Sequence, residues 1–247
     1  METVMNYRDR LNEQKTRSSK AECIGRFEEF ILSGRFNPGD RLPSERELVV
    51  ELGASRPIVH AAIRELEIRG LVKVEPRRGV FVSDWRREGS VEMLLSIMSY
   101  SGGDISPKLL DSMLEFRILF ETETARLAAS RRSEEQMREI GKVLARESLL
   151  ESPGPEEVAQ VDYEFHLAVA VASGNDVYPL LINSMKNIYK RILDRFYTDP
   201  SVVPEVFRLH RLLAAAIGEG QAHHAAETMR EILDYGERNL RRILSLD

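Results

Sequence analysis

Asp162 and His166 stand four residues apart in VDYEFHLAVA, a spacing that sets both side chains on one face of a helix. His210 begins a later apolar helical face, LHRLLAAAI. One carboxylate and two imidazoles from packed helices form a donor set for zinc or a similar divalent metal. Such an ion could hold a ligand or, in a hydrolytic enzyme, activate water. Two histidines in a chain of 247 residues can equally be satisfied core or surface groups, so spacing alone leaves both readings standing. No nucleophile motif, phosphate-binding glycine loop or evident general base accompanies the trio, which weighs against an enzyme.

The elements that must position these residues are helices. From Val91 the apolar periodicity predicts helices over roughly 91–100, 107–129, 133–151, 155–173, 176–196, 201–218 and 221–245. Breaks fall at Gly102-Gly103, Ser133, the Ser152-Pro153-Gly154-Pro155 run, Gly174-Asn175, Asp199-Pro200 and Gly218-Glu219-Gly220. The short connections predict an antiparallel all-α bundle.

The N-terminal third has another grammar. Ser44 followed three residues later by Glu47 has capping-box spacing, and Leu48, Val49 and Leu52 give the helix an apolar side that Gly53 terminates. Ser55 and Pro57 open the next helix, with Ile58, Val59, Ala62, Ile63 and Leu66 along one side. Helix, sharp turn, capped helix is a helix-turn-helix pattern, which presents the start of its second helix, here Ser55, Arg56 and His60, to a DNA major groove. After Gly70, Leu71–Val74 and Val80–Val82 alternate as two strands around the basic tip Glu75-Pro76-Arg77-Arg78-Gly79, a wing that could reach phosphates or a minor groove. A helix predicted from Ser19 to Ser33-Gly34 would pack behind this pair.

Charge follows the same division. Residues 1–88 carry 17 Lys and Arg against 15 Asp and Glu, and the remainder 18 against 25, so a slightly basic head joins an acidic body. The single cysteine, Cys23, excludes an internal disulfide and fits a reducing cytoplasm. The charged N-terminal stretch does not read as a signal peptide, and no apolar run approaches a membrane span. The expectation is a mainly α chain. It has a flexible tail over 1–18, a winged helix-turn-helix over 19–84 with a two-stranded wing, a linker over 85–90 where Trp85 packs, and an all-helical effector-binding and dimerisation domain over 91–247.

The segment Pro38-Gly39-Asp40-Arg41-Leu42-Pro43-Ser44-Glu45-Arg46-Glu47-Leu48, with Ser55-Arg56, Leu66, Gly70-Leu71 and Arg78-Gly79-Val80-Phe81-Val82, resembles the winged helix of GntR-family bacterial transcription regulators, in their FadR-like branch. The resemblance implies DNA contacts by Arg46, Arg56 and Gly79, beside the Ser55, His60, Arg77 and Arg78 already singled out. His60 stands where the family usually carries a second arginine. The helical half is similar to that branch's ligand-binding domain, in which a metal on an Asp-x-x-x-His pair and two later histidines holds a small carboxylate. Asp162, His166 and His210 match the first three ligands; Ile232 occupies the fourth place, and His223 and His224 do not replace it. The implied cofactor is a divalent metal such as Zn, Ni or Mn, and the implied cavity pair is Arg117 and Glu121, where Arg117 could hold a carboxylate. Residues 172–200 are also similar to the branch's acyl-CoA-responsive fatty-acid regulators, with Asn175, Tyr178, Met185, Lys186, Tyr189 and Arg191 as matches. That similarity offers an acyl-CoA effector as the alternative to a small carboxylate and adds Asn175 and Tyr189 to the effector residues. The resemblance thus implies a homodimer on a palindromic double-stranded operator, cytoplasmic, with no membrane partner and no enzymatic activity.

Overall fold

The computed structural model describes residues 7–91, 93–94, 107–151 and 153–245, with side chains from residue 20 onward. It divides into two compact units, Met1–Asp104 and Ile105–Asp247.

In the first unit, α1 (Tyr7–Leu32) runs into α2 (Glu45–Leu52) and α3 (Arg56–Ile68), followed by β1 (Val72–Glu75), β2 (Gly79–Val82) and the short α4 (Trp85–Glu88). The Ser44 capping box is present in full, and Gly53 ends α2 in the left-handed conformation, φ 62°. Such a cap stabilises a helix by about 1 kcal/mol. Ser55 stands at the N-cap of α3, but its side chain makes no capping hydrogen bond. It therefore remains available at the surface. Phe27, Leu48, Val59, Ala62 and Leu66 are fully buried where α1, α2 and α3 meet. Behind them the buried Glu28 carboxylate pairs with Arg69 at 2.8 Å, pinning α1 to the end of α3.

Strands β1 and β2 pair antiparallel, Val72 opposite Val82 and Glu75 opposite Gly79. Arg41 bridges to Phe81, and Leu42 N–H donates to Val80 O at 2.8 Å, so the segment before α2 flanks the wing. The segment expected as a linker begins with α4, and Trp85 packs on the core of this first unit. Helix α1 also takes in much of the stretch expected as a tail. The helix expected over 91–100 falls largely outside the described residues.

The second unit holds α5 (Pro107–Arg131), α6 (Glu134–Leu149), α7 (Pro155–Ala172), α8 (Val177–Ser184), α9 (Lys186–Phe196), α10 (Val203–Gly218) and α11 (Ala222–Leu244), with a 3-10 turn at Pro200–Val202. Helix α5 packs against α7, α10 and α11, and α6 against α7 and α10. Alanines 125, 128, 129, 172 and 216 let the helices approach closely around Phe165, Leu213 and Met229. The single helix expected over 176–196 is broken at Met185, whose φ −95° and ψ 2° leave the helical region. Ser184 Oγ donates to Leu180 O at 2.8 Å, a back-bond that bends helices at this kind of position.

Candidate functional site

On the first unit, Arg46, Ser55, Arg56, His60, Arg77 and Arg78 are all exposed and Gly79 is half-buried. Arg56 and His60, four apart on α3, share one helix face. Both reach Glu45, at the start of α2: His60 Nδ1 lies 2.9 Å from Oε1 and Arg56 Nε 3.4 Å from Oε2. At the wing, Arg77 has φ 66° and Gly79 φ 122°. A Cβ on Gly79 would come 2.7 Å from Arg41 Nε, so only glycine lets that guanidinium lie against the wing backbone. Arg78 pairs with Glu75 and stacks over Phe81 at 5.4 Å. Cationic side chains thus cluster around the start of α3 and the tip of the wing, the two places that a winged helix brings to DNA.

Inside the second unit, Asp162 and His166 from α7 and His210 from α10 are buried, and one ligand atom from each lies within 4.8 Å of the other two. His166 Nε2 is 3.8 Å from Asp162 Oδ1, and His210 Nε2 is 3.9 Å from Oδ2. The far nitrogen of each ring faces a buried carboxylate: His166 Nδ1 is 2.5 Å from Glu121 Oε2, and His210 Nδ1 is 2.7 Å from Glu147 Oε1. Tyr197 donates its hydroxyl to Asp162 Oδ2 at 2.5 Å. Asp162 and His210 are thus oriented by hydrogen bonds with Tyr197 and Glu147, and His166 faces Glu121 in an ion pair, the kind of partners that surround metal ligands. Phe165 stacks on His210 at 3.9 Å and closes the opposite side.

Whether these residues fit a cation is decided by what the protein leaves unpaired. Asp162 Oδ1, His210 Nε2 and Glu147 Oε2 are buried without a hydrogen-bond partner, as are His166 Nδ1 and Glu121 Oε2, which face each other as an ion pair. The cluster gathers three buried carboxylates, Glu121, Glu147 and Asp162, and Arg117 pairs with Glu121. A divalent ion held by the trio would meet the orphaned Asp162 Oδ1 and His210 Nε2. The residues fit a metal.

Arg117 and Glu121 join this centre to a cavity. Arg117 Nε donates to Glu121 Oε1 at 2.6 Å, and Tyr189 donates its hydroxyl to the same oxygen at 2.8 Å. Burial opposes ionisation of Glu121, but the charges of Arg117 and His166 outweigh it and hold its pKa well below the carboxylate range. Burial likewise disfavours the charged His166, and the Glu121 charge wins, raising the imidazole above its ordinary value. Burial, then Asp162, pushes the Tyr197 hydroxyl well up, so it is a proton donor. The cavity beside the cluster measures about 30 Å³; Arg117, Asp162 and His166 face apolar groups that include Phe196, Ile232 and Leu240.

The structure brings Arg117, Glu121, Tyr189, Asp162, His166 and His210 together. Asn175 is elsewhere, in the turn after α7, where its side-chain oxygen accepts from Val177 N–H at 2.9 Å and so shapes the entry to α8. His223 and His224 are exposed, and Ile232 lines the cavity. Two members of the centre escaped the sequence reading. Glu147 sits seven residues after the buried Ile140, an acid on the apolar stripe of α6, which is the signal that could have found it. Tyr197 has no comparable signal.

Residues 21–82 match the gntR family of bacterial regulatory proteins, and residues 112–235 match the FCD domain. A winged helix joined to a helical unit with a buried polar centre defines a ligand-responsive DNA-binding regulator. The chain belongs to the GntR family of transcription regulators and carries an FCD domain as its ligand-binding part. It is a regulator of transcription and not an enzyme, which sets the hydrolase alternative aside. Over 228 residues it is 28% identical to the HTH-type transcriptional regulator Mce2R of Mycobacterium tuberculosis, covering 92% of this chain and 94% of that protein. It is 27% identical over 202 residues to the fatty acid metabolism regulator protein of an Enterobacter species, covering 82% of each. Among solved structures, E. coli McbR/YncC shares the fold at TM-score 0.52 and 19% identity, covering 92% of this chain and 97% of that one. No helix among the described residues is long and apolar enough to cross a membrane.

Proposed function

We propose that this regulator binds a two-fold operator as a homodimer, one winged helix per half-site, under the control of a small carboxylate held beside a divalent metal in the helical unit. Arg56, Ser55 and His60 read base edges, while Arg46, Arg77 and Arg78, with the backbone at Gly79, engage the DNA backbone. Asp162, His166 and His210 hold the ion, and zinc, nickel and manganese all suit two imidazoles and one carboxylate. The ion supplies a Lewis-acidic, positively charged position for the effector's carboxylate. Three protein ligands suffice, because the effector or water completes the set, so Ile232 in the fourth family position does not remove the site.

The observation that carries this reading is the shell around the ligands: each histidine turns one nitrogen to Asp162 and its other to a buried glutamate. Arg117 borders the same cavity, and its guanidinium suits bidentate pairing with a carboxylate. An effector acts only by preferring one state of the protein, so its binding and DNA binding must affect each other equally. Fluorescence anisotropy of operator DNA, titrated with small mono- and dicarboxylates with and without chelator, tests this. The reading expects a carboxylate whose effect on operator affinity vanishes with the metal; saturating acids that leave affinity unchanged in metal-loaded protein would sink it.

Acyl-CoA is the second reading, favoured by the apolar cavity wall and by the fatty acid metabolism regulator among the relatives. A cavity of about 30 Å³ has room for little more than water, so either effector must widen it, an acyl chain far more than a small acid. An acyl chain would have to part the helices around Ile192, Phe196 and Ile232. Acyl-CoA that shifts operator affinity in the chelator-treated protein would favour this second reading.

A further inference from the structure

The contact between α2 and α3 carries an inference about which bases the regulator selects. Glu45 Oε1 lies 2.9 Å from His60 Nδ1, within hydrogen-bond reach, while Glu45 Oε2 takes Arg56 Nε at 3.4 Å. A carboxylate can only accept, so the imidazole nitrogen that faces it carries the proton. The His60 bond is the main influence holding Glu45 below the ordinary carboxylate range, ahead of Arg56 and against a smaller effect of burial, so Glu45 is ionised at neutral pH. In a neutral imidazole with a proton on Nδ1, Nε2 is an acceptor. His60 is well exposed, at 62% for its side chain, on the same face of α3 as Arg56.

We propose that Glu45 sets the tautomer of His60, making it a specificity-determining acceptor that selects a base with an exocyclic amine in the major groove, cytosine or adenine. Guanine and thymine offer no amine there: guanine presents two acceptors, and thymine an acceptor and a methyl group. Arg56, held at Nε, keeps its terminal nitrogens for the paired acceptors of guanine. Two side chains one helical turn apart thus read opposite hydrogen-bonding characters, and one glutamate fixes both. This rests on the reading in which the start of α3 enters the major groove.

The test is selection from duplexes with randomised half-sites, by the full-length chain and its His60→Ala, His60→Arg and Glu45→Ala variants at neutral pH. His60 is exposed and Glu45 half-buried, and thermal melts verify the folds. The wild type is expected to enrich cytosine or adenine at one position in each half-site. His60→Arg should move that position to guanine, and His60→Ala and Glu45→Ala should relax it. Replacing the selected base by an analogue without its amine should weaken wild-type binding by about tenfold and leave His60→Ala unaffected. Identical selected sites for the wild type and both His60 variants would overturn the assignment, as would wild-type enrichment of guanine or thymine at the His60-dependent position. A wild type that selected no duplex at all would overturn the reading of α3 itself, and this assignment with it.

Discussion

Glu147 Oε1 lies 2.7 Å from His210 Nδ1, with both side chains buried. A carboxylate behind an imidazole fixes which nitrogen is presented forward and raises its basicity as a ligand. Glu147→Gln keeps the shape and removes the charge. It should weaken metal binding by about 10–100-fold without abolishing it, measured by competition with a chromophoric chelator. Unchanged affinity would make Glu147 a bystander.

Ile232 lines the cavity beside Asp162 and His166, at the place where the family resemblance implies a further ligand. Ile232→His should tighten metal binding in the same competition assay and slow metal loss to chelator. A variant that folds, as its thermal melt would show, but binds no more tightly would mean that the fourth position does not face the ion.

The pH dependence follows from His166. Its folded pKa is raised, because the Glu121 charge outweighs burial. The protonated ring therefore stabilises the metal-free fold at pH values below the unfolded imidazole pKa of about 6.5, and this contribution is lost as pH rises through the folded pKa. Metal needs the neutral ring, so its affinity moves the other way. Between about pH 6 and pH 8, the Tm of chelated protein should fall while the Tm gain on adding metal grows. A metal-induced gain that shrinks over this range would contradict the assignment of His166 as a ligand.

At the wing, Gly79 has φ 122° and sits against Arg41. Gly79→Ala meets both a left-handed backbone, a strain of about 1–3 kcal/mol, and the Arg41 side chain. Operator affinity should drop several-fold while metal binding stays as it was. Equal DNA affinity, read by anisotropy, would show that the wing's path does not matter for binding.

Much of this molecule was legible because local chemistry and tertiary packing agree. Ser44, Glu47 and Gly53 start and stop α2 as their types dictate, and the alternation of Val72–Glu75 with Gly79–Val82 places the wing. Asp162 and His166 were visible from their four-residue spacing; that His210 meets them depends on α7 and α10 packing together, which spacing does not encode. The break at Met185 was hidden because the apolar period runs through it, and a single serine back-bond is too weak a signal. Asn175 matched by residue type, and in the structure its side-chain oxygen accepts from Val177 N–H in the turn after α7. Glu147 was overlooked because an acid among Arg146, Glu147 and Ser148 reads as solvated surface until His210 is seen behind it.

The most direct measurement is metal content per chain, by elemental analysis of protein purified without chelator or added metal. The account predicts about one divalent ion per chain, absent in His166→Ala protein that still melts cooperatively. A wild-type chain that holds no metal, even after soaking in zinc, nickel and manganese, would contradict it.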